Sequence, residues 1–294
     1  TTTVVRLLAL LQHLALSEGG TRLRIGLAAP TGKAAARLGE SIAGAVAGLP
    51  FGRLAGGDAL RAAIPTTVST VHRLLGSRPD TRHFRHDARN PLPLDVLVLD
   101  EASMLDLEMM SCVLAALRPQ ARLILLGDKD QLASVEAGAV LGDLCQRADD
   151  GHYDDTTVHW LQAVTGEQVE PRLRDAQGQP LDQAVVKLRV SYRFGADSGI
   201  GRLAEAVNSG DAAQVAHVLA QGHADLSAQL QHQGPMPDAA LRRLVVDGAP
   251  EGFAGHGKGR IEDSAPVAAP VGYGHYLRLM RARQPQAEAP QEAF

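Results

Sequence analysis

With 294 residues, 45% of them hydrophobic and only 3% aromatic, the chain can build one large or two ordinary domains but no extended base-stacking platform. The formal charge of −4 excludes a uniformly basic nucleic-acid coat, although residues 1–90 carry +7 and residues 91–294 carry −11, so the first third can still present a local phosphate-binding surface. The two cysteines, Cys112 and Cys145, exclude a disulfide framework and a Cys-x-x-Cys zinc site, and they suit a reducing cytoplasm.

Along the chain, apolar residues at helical spacing (Val4, Leu7, Leu8, Leu11, Leu14) predict a helix over 3–16, ended by Glu18-Gly19-Gly20. Arg6, Gln12 and His13 interrupt this run, and it has neither a basic leader nor a cleavage site, so it is not read as a signal peptide. No stretch approaches about 18 continuous apolar residues, and no membrane span is expected. Leu23–Ala29 reads as a strand, Lys33–Val46 as an Ala-rich helix and Ser69–Leu75 as a short helix. Val96–Leu99 is a continuous apolar run, the mark of a strand buried on both faces. Leu107–Leu117 follows as a helix, Arg122–Leu126 as another buried strand, and Ala137–Cys145 as a helix. This alternation implies an α/β fold with a parallel sheet covered on both sides.

From Asp149 to Gln183 the Gly-, Asp- and Gln-rich sequence reads as a loop-rich insertion. A strand is expected over Val185–Val190, then helices over Gly199–Asn208, Ala212–Ala220 and Gly274–Arg283. Little else beyond Gly222 is legible.

Four segments carry chemistry. Val96-Leu97-Val98-Leu99 ends in Asp100-Glu101. In a parallel sheet the carboxyl ends of the strands face the ligand crevice, so Asp100 is placed to hold Mg²⁺ and Glu101 to polarise an attacking water. Four apolar residues followed by two acids also arise at ordinary strand ends. Leu123–Leu126 likewise ends in Gly127-Asp128-Lys129-Asp130-Gln131, where Gly127 allows a tight turn and the Gln131 amide can sense a γ-phosphate. An ordinary turn after a strand is the alternative.

Leu27–Ala34 (LAAPTGKA) invites a phosphate-loop reading but fails it. Five residues rather than four separate Gly26 from Gly32, and Ala34 stands where a Ser or Thr is needed. A helix N-terminus with Thr31 and Lys33 suits a DNA phosphate instead, or simply starts a helix. Ser191-Tyr192-Arg193-Phe194 supplies an arginine able to reach a transferring phosphate, though alone Arg193 reads as a surface residue or ion-pair partner ahead of that role. The Arg78–Arg89 stretch is basic with one ring, Phe84, and is taken as a solvated loop ahead of a DNA-facing one.

In order and spacing, LAAPTGKAAARL (27–38), TVSTVHRLL (67–75), LVLDEASML (97–105), LLGDKDQLASVEAGAVLGDL (125–144) and SYRFGADSGIGRLAEAVN (191–208) resemble the helicase motifs of superfamily 1. Within it they are most similar to the exodeoxyribonuclease V alpha-subunit (RecD) family. The resemblance covers most of residues 1–210 and thins afterwards.

It implies a RecA-like P-loop NTPase fold, with residues 1–194 forming a helicase ATPase domain and 195–294 a partial second helicase domain or connecting segment. It further implies ATP and Mg²⁺ as cofactors and 5′ to 3′ movement on single-stranded DNA. Asp100 becomes the Mg²⁺ partner, Glu101 the catalytic base, Gln131 the γ-phosphate sensor and Arg193 the arginine finger. Pro30, Thr31, Lys33, Thr70 and His72 fall in segments that line the DNA path. The expected partners are a helicase-nuclease subunit and a scaffold subunit of a heterotrimeric repair exonuclease.

Two departures qualify this. Only the end of a phosphate loop is present, with Thr1 matching its Mg²⁺-binding threonine and its lysine missing, and the family's last two motifs are not visible. The chain is therefore read as a fragment expected to hydrolyse ATP hardly at all. A non-catalytic DNA-binding or assembly module stands as the alternative.

Overall fold

The computed structural model describes residues 2–17, 19–51, 56–78, 81, 83–129, 140–189, 198–223, 225–226, 238–248, 261–262, 265–266 and 271–283. The chain divides into two compact units, Thr1–Lys187 and Leu188–Phe294.

The first unit opens with helix α1 (Thr2–Ser17), strand β1 (Ile25–Ala29), and helices α2 (Gly32–Gly48) and α3 (Gly57–Ala63). Strand β2 (Ser69–Thr70), helix α4 (Val71–Leu75), strand β3 (Val96–Leu99), helix α5 (Leu107–Ala116) and strand β4 (Arg122–Leu125) follow. Helices α6 (Val140–Leu144) and α7 (Asp155–Thr165) complete it. The four strands form one sheet in the order β2-β1-β3-β4, and every neighbouring pair is parallel.

All four residues of β3 are fully buried, as their unbroken apolar character requires. Their side chains alternate between two cores. Val96 and Val98 join Leu27 of β1, Leu8 of α1 and Leu38 and Ile42 of α2 on one face. Leu97 and Leu99 join Ala28, Val71, Leu75, Met110 and Val113 on the other. Burying one such side chain stabilises the fold by about 1.5–3 kcal/mol, so β3 anchors both layers.

Gln12, which interrupts the apolar stripe of the first helix, proves to be fully buried. Its amide donates to the carbonyls of Leu23 at 2.9 Å and Ala63 at 3.1 Å and accepts from the Leu23 N–H at 3.0 Å. One side chain thus joins α1 to the approach to β1 and the end of α3. At the amino-terminal ends of β1 and β3, Arg24 clasps Asp95, with Nη2 2.7 Å from Oδ1 and Nε 3.0 Å from Oδ2.

Several expectations need correction. Ser69 and Thr70 form a short edge strand rather than the start of a helix. The insertion over Asp149–Gln183 holds an 11-residue helix, α7. Its signals are local: the Asp154 carboxylate caps it by accepting from the Thr157 N–H at 2.7 Å, and Gly166 ends it at φ 75°. Of its residues only Val158 is buried, so no core stripe marks it. Residues 185–189 form no strand; Val186 and Leu188 are about three-quarters exposed, and Val190 lies outside the described residues. The helix expected over Ala137–Cys145 is described only from Val140.

The second unit contains α8 (Gly199–Asn208), capped by Ser198, and α9 (Ala212–Ala220), capped by Asp211. It also holds α10 (Asp238–Arg242), which runs into one π-turn at Arg243–Asp247, a two-residue antiparallel pair β5 (Ile261–Glu262) and β6 (Ala265–Pro266), and α11 (Tyr273–Arg283). Among the described residues no helix is long and apolar enough to cross a membrane.

Two predictions follow from these contacts. Gln12→Leu leaves three backbone groups without their partner and should cost about 2–4 kcal/mol by urea denaturation; a loss under about 1 kcal/mol would show that apolar packing alone holds α1. The Arg24 hydrogen bonds, side-chain first and then backbone, hold Asp95 down to about 2 from its usual 3.8. A carboxylate depressed in the folded state contributes stability above its unfolded value, and that contribution fades as pH falls from about 3.8 towards 2. Asp95→Asn should flatten the acid limb of the stability profile in that window, read by urea denaturation at a series of pH values.

Candidate active site at the strand ends

The parallel register decides which residues meet. Ala29 at the end of β1 pairs with Thr70 on β2, and Ala28 pairs with Leu99 on β3. The Asp100 N–H donates to the Ala28 carbonyl at 2.9 Å, and the Leu126 N–H to the Leu99 carbonyl at 2.8 Å. Pro30-Thr31, Thr70, Asp100-Glu101 and Gly127 therefore leave the carboxyl edge of one sheet side by side, where open α/β sheets bind ligands.

Beyond β1 the chain turns at half-buried Pro30, and Thr31 caps α2 with extended backbone. Its Oγ1 accepts from the Ala34 N–H at 3.2 Å, leaving Lys33 exposed in the first turn. Thr70 does the same for α4, its Oγ1 accepting from the Arg73 N–H at 3.3 Å. His72 is exposed on α4 and meets the Phe84 ring edge-on, with centroids 6.0 Å apart.

Phe84 is half-buried against the core that holds Leu75 and Leu97, so it is not a free stacking ring. The segment after it is ordered by the chain itself. Arg85 and His86 donate their N–H groups to the carbonyls of Gly76 and Leu75, and the Asp87 carboxylate accepts from the backbone of Arg89 and Asn90. Those two backbone donors favour the charged carboxylate and hold the pKa of Asp87 below the usual carboxylate range. Arg85 and Arg89 remain exposed.

Asp100 and Glu101 are both half-buried at the end of β3. Glu101 takes the left-handed conformation, φ 52° and ψ 40°, before the 3₁₀ turn Ala102–Met104. The Ala102 N–H donates to the Leu126 carbonyl at 2.8 Å, which joins this turn to the end of β4. Ser103 is buried, and its hydroxyl has no hydrogen-bond partner among the described residues. Gly127, expected to serve a tight turn, is not left-handed. It is needed for space, since a Cβ there would stand 3.2 Å from the amide nitrogens of Ala102 and Ser103.

Thr1, Gln131 and Arg193 lie outside the described residues. Sequence reasoning missed Ser103, Leu126 and the true role of Gly127; only the Gly after an apolar strand could have signalled them. Burial raises both thiols, Cys112 and Cys145, so neither is an activated nucleophile.

The sheet, its crossovers and the acidic strand end define a RecA-like α/β domain of the AAA class. A family model described as an AAA domain matches residues 1–137. The RecBCD enzyme subunit RecD of Haemophilus influenzae is 47% identical over 212 residues, covering 72% of this chain and 32% of that protein. The subunit of the same name from Mycolicibacterium smegmatis is 42% identical over 250 residues, 84% of this chain and 37% of its own length. The ATP-dependent RecD2 DNA helicase of Deinococcus radiodurans is 45% identical over 126 residues, 43% of this chain and 14% of that protein. Within its class the chain is RecD-like, and it spans about a third of the length of the RecD subunits it matches.

The cap at Thr31 gives a direct check on this edge. Thr31→Ala should cost about 1 kcal/mol of stability, and Thr31→Ser should restore it. Equal denaturation midpoints for all three would mean that the hydroxyl does not hold α2.

Proposed function

We propose that this chain is the ATPase core of a DNA helicase subunit that spends ATP to move 5′ to 3′ along single-stranded DNA. In the full protein it works beside a helicase-nuclease subunit and a scaffold subunit in a double-strand-break-processing exonuclease. Residues 1–194 make the first RecA-like domain and 195–294 a partial second helicase domain or connecting segment. The observation that carries this reading is the gathering of Pro30-Thr31, Thr70 and Asp100-Glu101 at one edge of a parallel sheet in a RecD-like chain.

The residues fit the cofactors. Mg²⁺ is usually held by one or two carboxylates, with phosphate oxygens and water completing its octahedron. Asp100 supplies one such carboxylate at the strand end. Bound there, Mg²⁺ would neutralise charge on the phosphates.

Glu101 accepts the proton of the attacking water, Gln131 senses the γ-phosphate, and Arg193 stabilises charge on the transferring group. Thr1 would supply a hydroxyl to help hold the Mg²⁺. Pro30, Thr31, Lys33, Thr70 and His72 line the DNA path. Here the N–H groups of Gly32 and Lys33 and the Lys33 ammonium favour phosphate through direct donation, the helix dipole and charge.

The test is ATP hydrolysis, with and without single-stranded DNA, by a full-length protein carrying this segment. Glu101→Gln keeps the shape but cannot act as a base, and should lower DNA-stimulated turnover by about 10²–10³-fold while leaving DNA binding intact. Turnover at the wild-type rate in this variant would remove Glu101 from the mechanism. A folded, DNA-binding wild type without hydrolysis would identify a non-catalytic assembly module instead.

A further inference from the structure

Glu101 and His152 are the two non-glycine residues with positive φ among those described, and Glu101 is the one at the strand ends. A side chain with a Cβ is strained in this region and persists there only when its surroundings over-determine it. The restraint on Glu101 comes largely from the neighbouring strand. The Leu126 carbonyl, at the end of β4, accepts the Ala102 N–H at 2.8 Å. The Met104 N–H closes the turn onto the Glu101 carbonyl at 3.0 Å.

Gly127 then lies directly against this turn, its missing Cβ 3.2 Å from both the Ala102 and Ser103 nitrogens and 2.6 Å from Leu141 Cδ2. Among the described residues Ser103 Oγ has no hydrogen-bond partner, so its buried hydroxyl is not what ties the turn to them.

We infer that Gly127 is a positioning residue: with Leu126 it clamps the 102–103 backbone and so fixes Glu101 in its left-handed, strained conformation. It touches no substrate and acts through the turn. The clamp belongs to the same run of chain that continues to Gln131, so the placement of the base depends on where the end of β4 lies. The inference rests on the proposed role of Glu101 as the catalytic base. A side chain at position 127 meets two obstacles of different kinds. The Leu141 methyl can swing aside, whereas the two backbone nitrogens move only if the turn moves, and Glu101 moves with them.

DNA-stimulated ATP turnover should be compared for wild type, Gly127→Ala, Leu141→Ala and the double variant in a full-length protein carrying this segment, with Glu101→Gln alongside. Gly127→Ala is expected to lower kcat at least tenfold with KM for ATP changed less than twofold. Removing the Leu141 methyls should not rescue it, so the double variant should stay as slow. A double variant that returns to the Leu141→Ala rate overturns the clamp. If Glu101→Gln is inactive while the double variant recovers, only the clamp fails; if Glu101→Gln retains wild-type turnover, the reading beneath it fails.

A second measurement covers variants that do not fold. Glu101→Gly should melt above Glu101→Ala, because only glycine adopts the clamped conformation without strain. Equal melting temperatures overturn the inference independently of any activity.

Discussion

Four residues without a polar atom in their side chains, Val96–Leu99, fix where everything else at the strand ends must go. Each is completely removed from water, alternate side chains enter opposite cores, and both backbone edges are hydrogen-bonded to parallel neighbours. Sliding this strand by one residue would exchange the two faces and withdraw Asp100 from the level of Ala29. The burial that stabilises the domain is therefore also what sets the first acidic residue at the carboxyl edge of the sheet.

The same logic explains what was legible in the sequence. A strand buried on both faces reads as an apolar run, so β3 and its acidic end could be found directly, and β1 and β4 with only one or two residues of error at their ends. The α7 helix had no such signal, since it offers the core only Val158 and depends on the Asp154 cap. The expected strand over 185–190 failed for the opposite reason. Its branched apolar residues favour a strand, yet Val186 and Leu188 find no core and remain exposed.

Gly127 shows a different limit. Glycine after a strand is most simply read as a turn residue, because backbone freedom is visible in the one-letter code. Close approach of another backbone is not. Nothing in the sequence of residues 122–131 indicates that the 102–103 amides lie 3.2 Å from where a Cβ would stand. Gln12 was opaque in the same way: it looked like a break in an apolar stripe, but the hydrogen bonds that justify its burial come from Leu23 and Ala63, distant in the chain.

The two threonines at the strand ends bring these threads together. Thr31 and Thr70 each commit the side-chain oxygen to a cap, accepting from the backbone three residues on. A hydroxyl that accepts from a cap still has its own proton to donate, so capping and contact with a phosphate oxygen are compatible uses of one group. Because Ala29 pairs with Thr70 and is followed by Pro30-Thr31, the two caps start from neighbouring strands of one edge. Asp100 leaves the strand on the other side of β1. Residues suited to phosphate contact thus lie towards β2, and the acidic pair lies at β3. A sheet whose register is fixed by burial keeps the two capping threonines and the acidic pair on neighbouring strands of one edge.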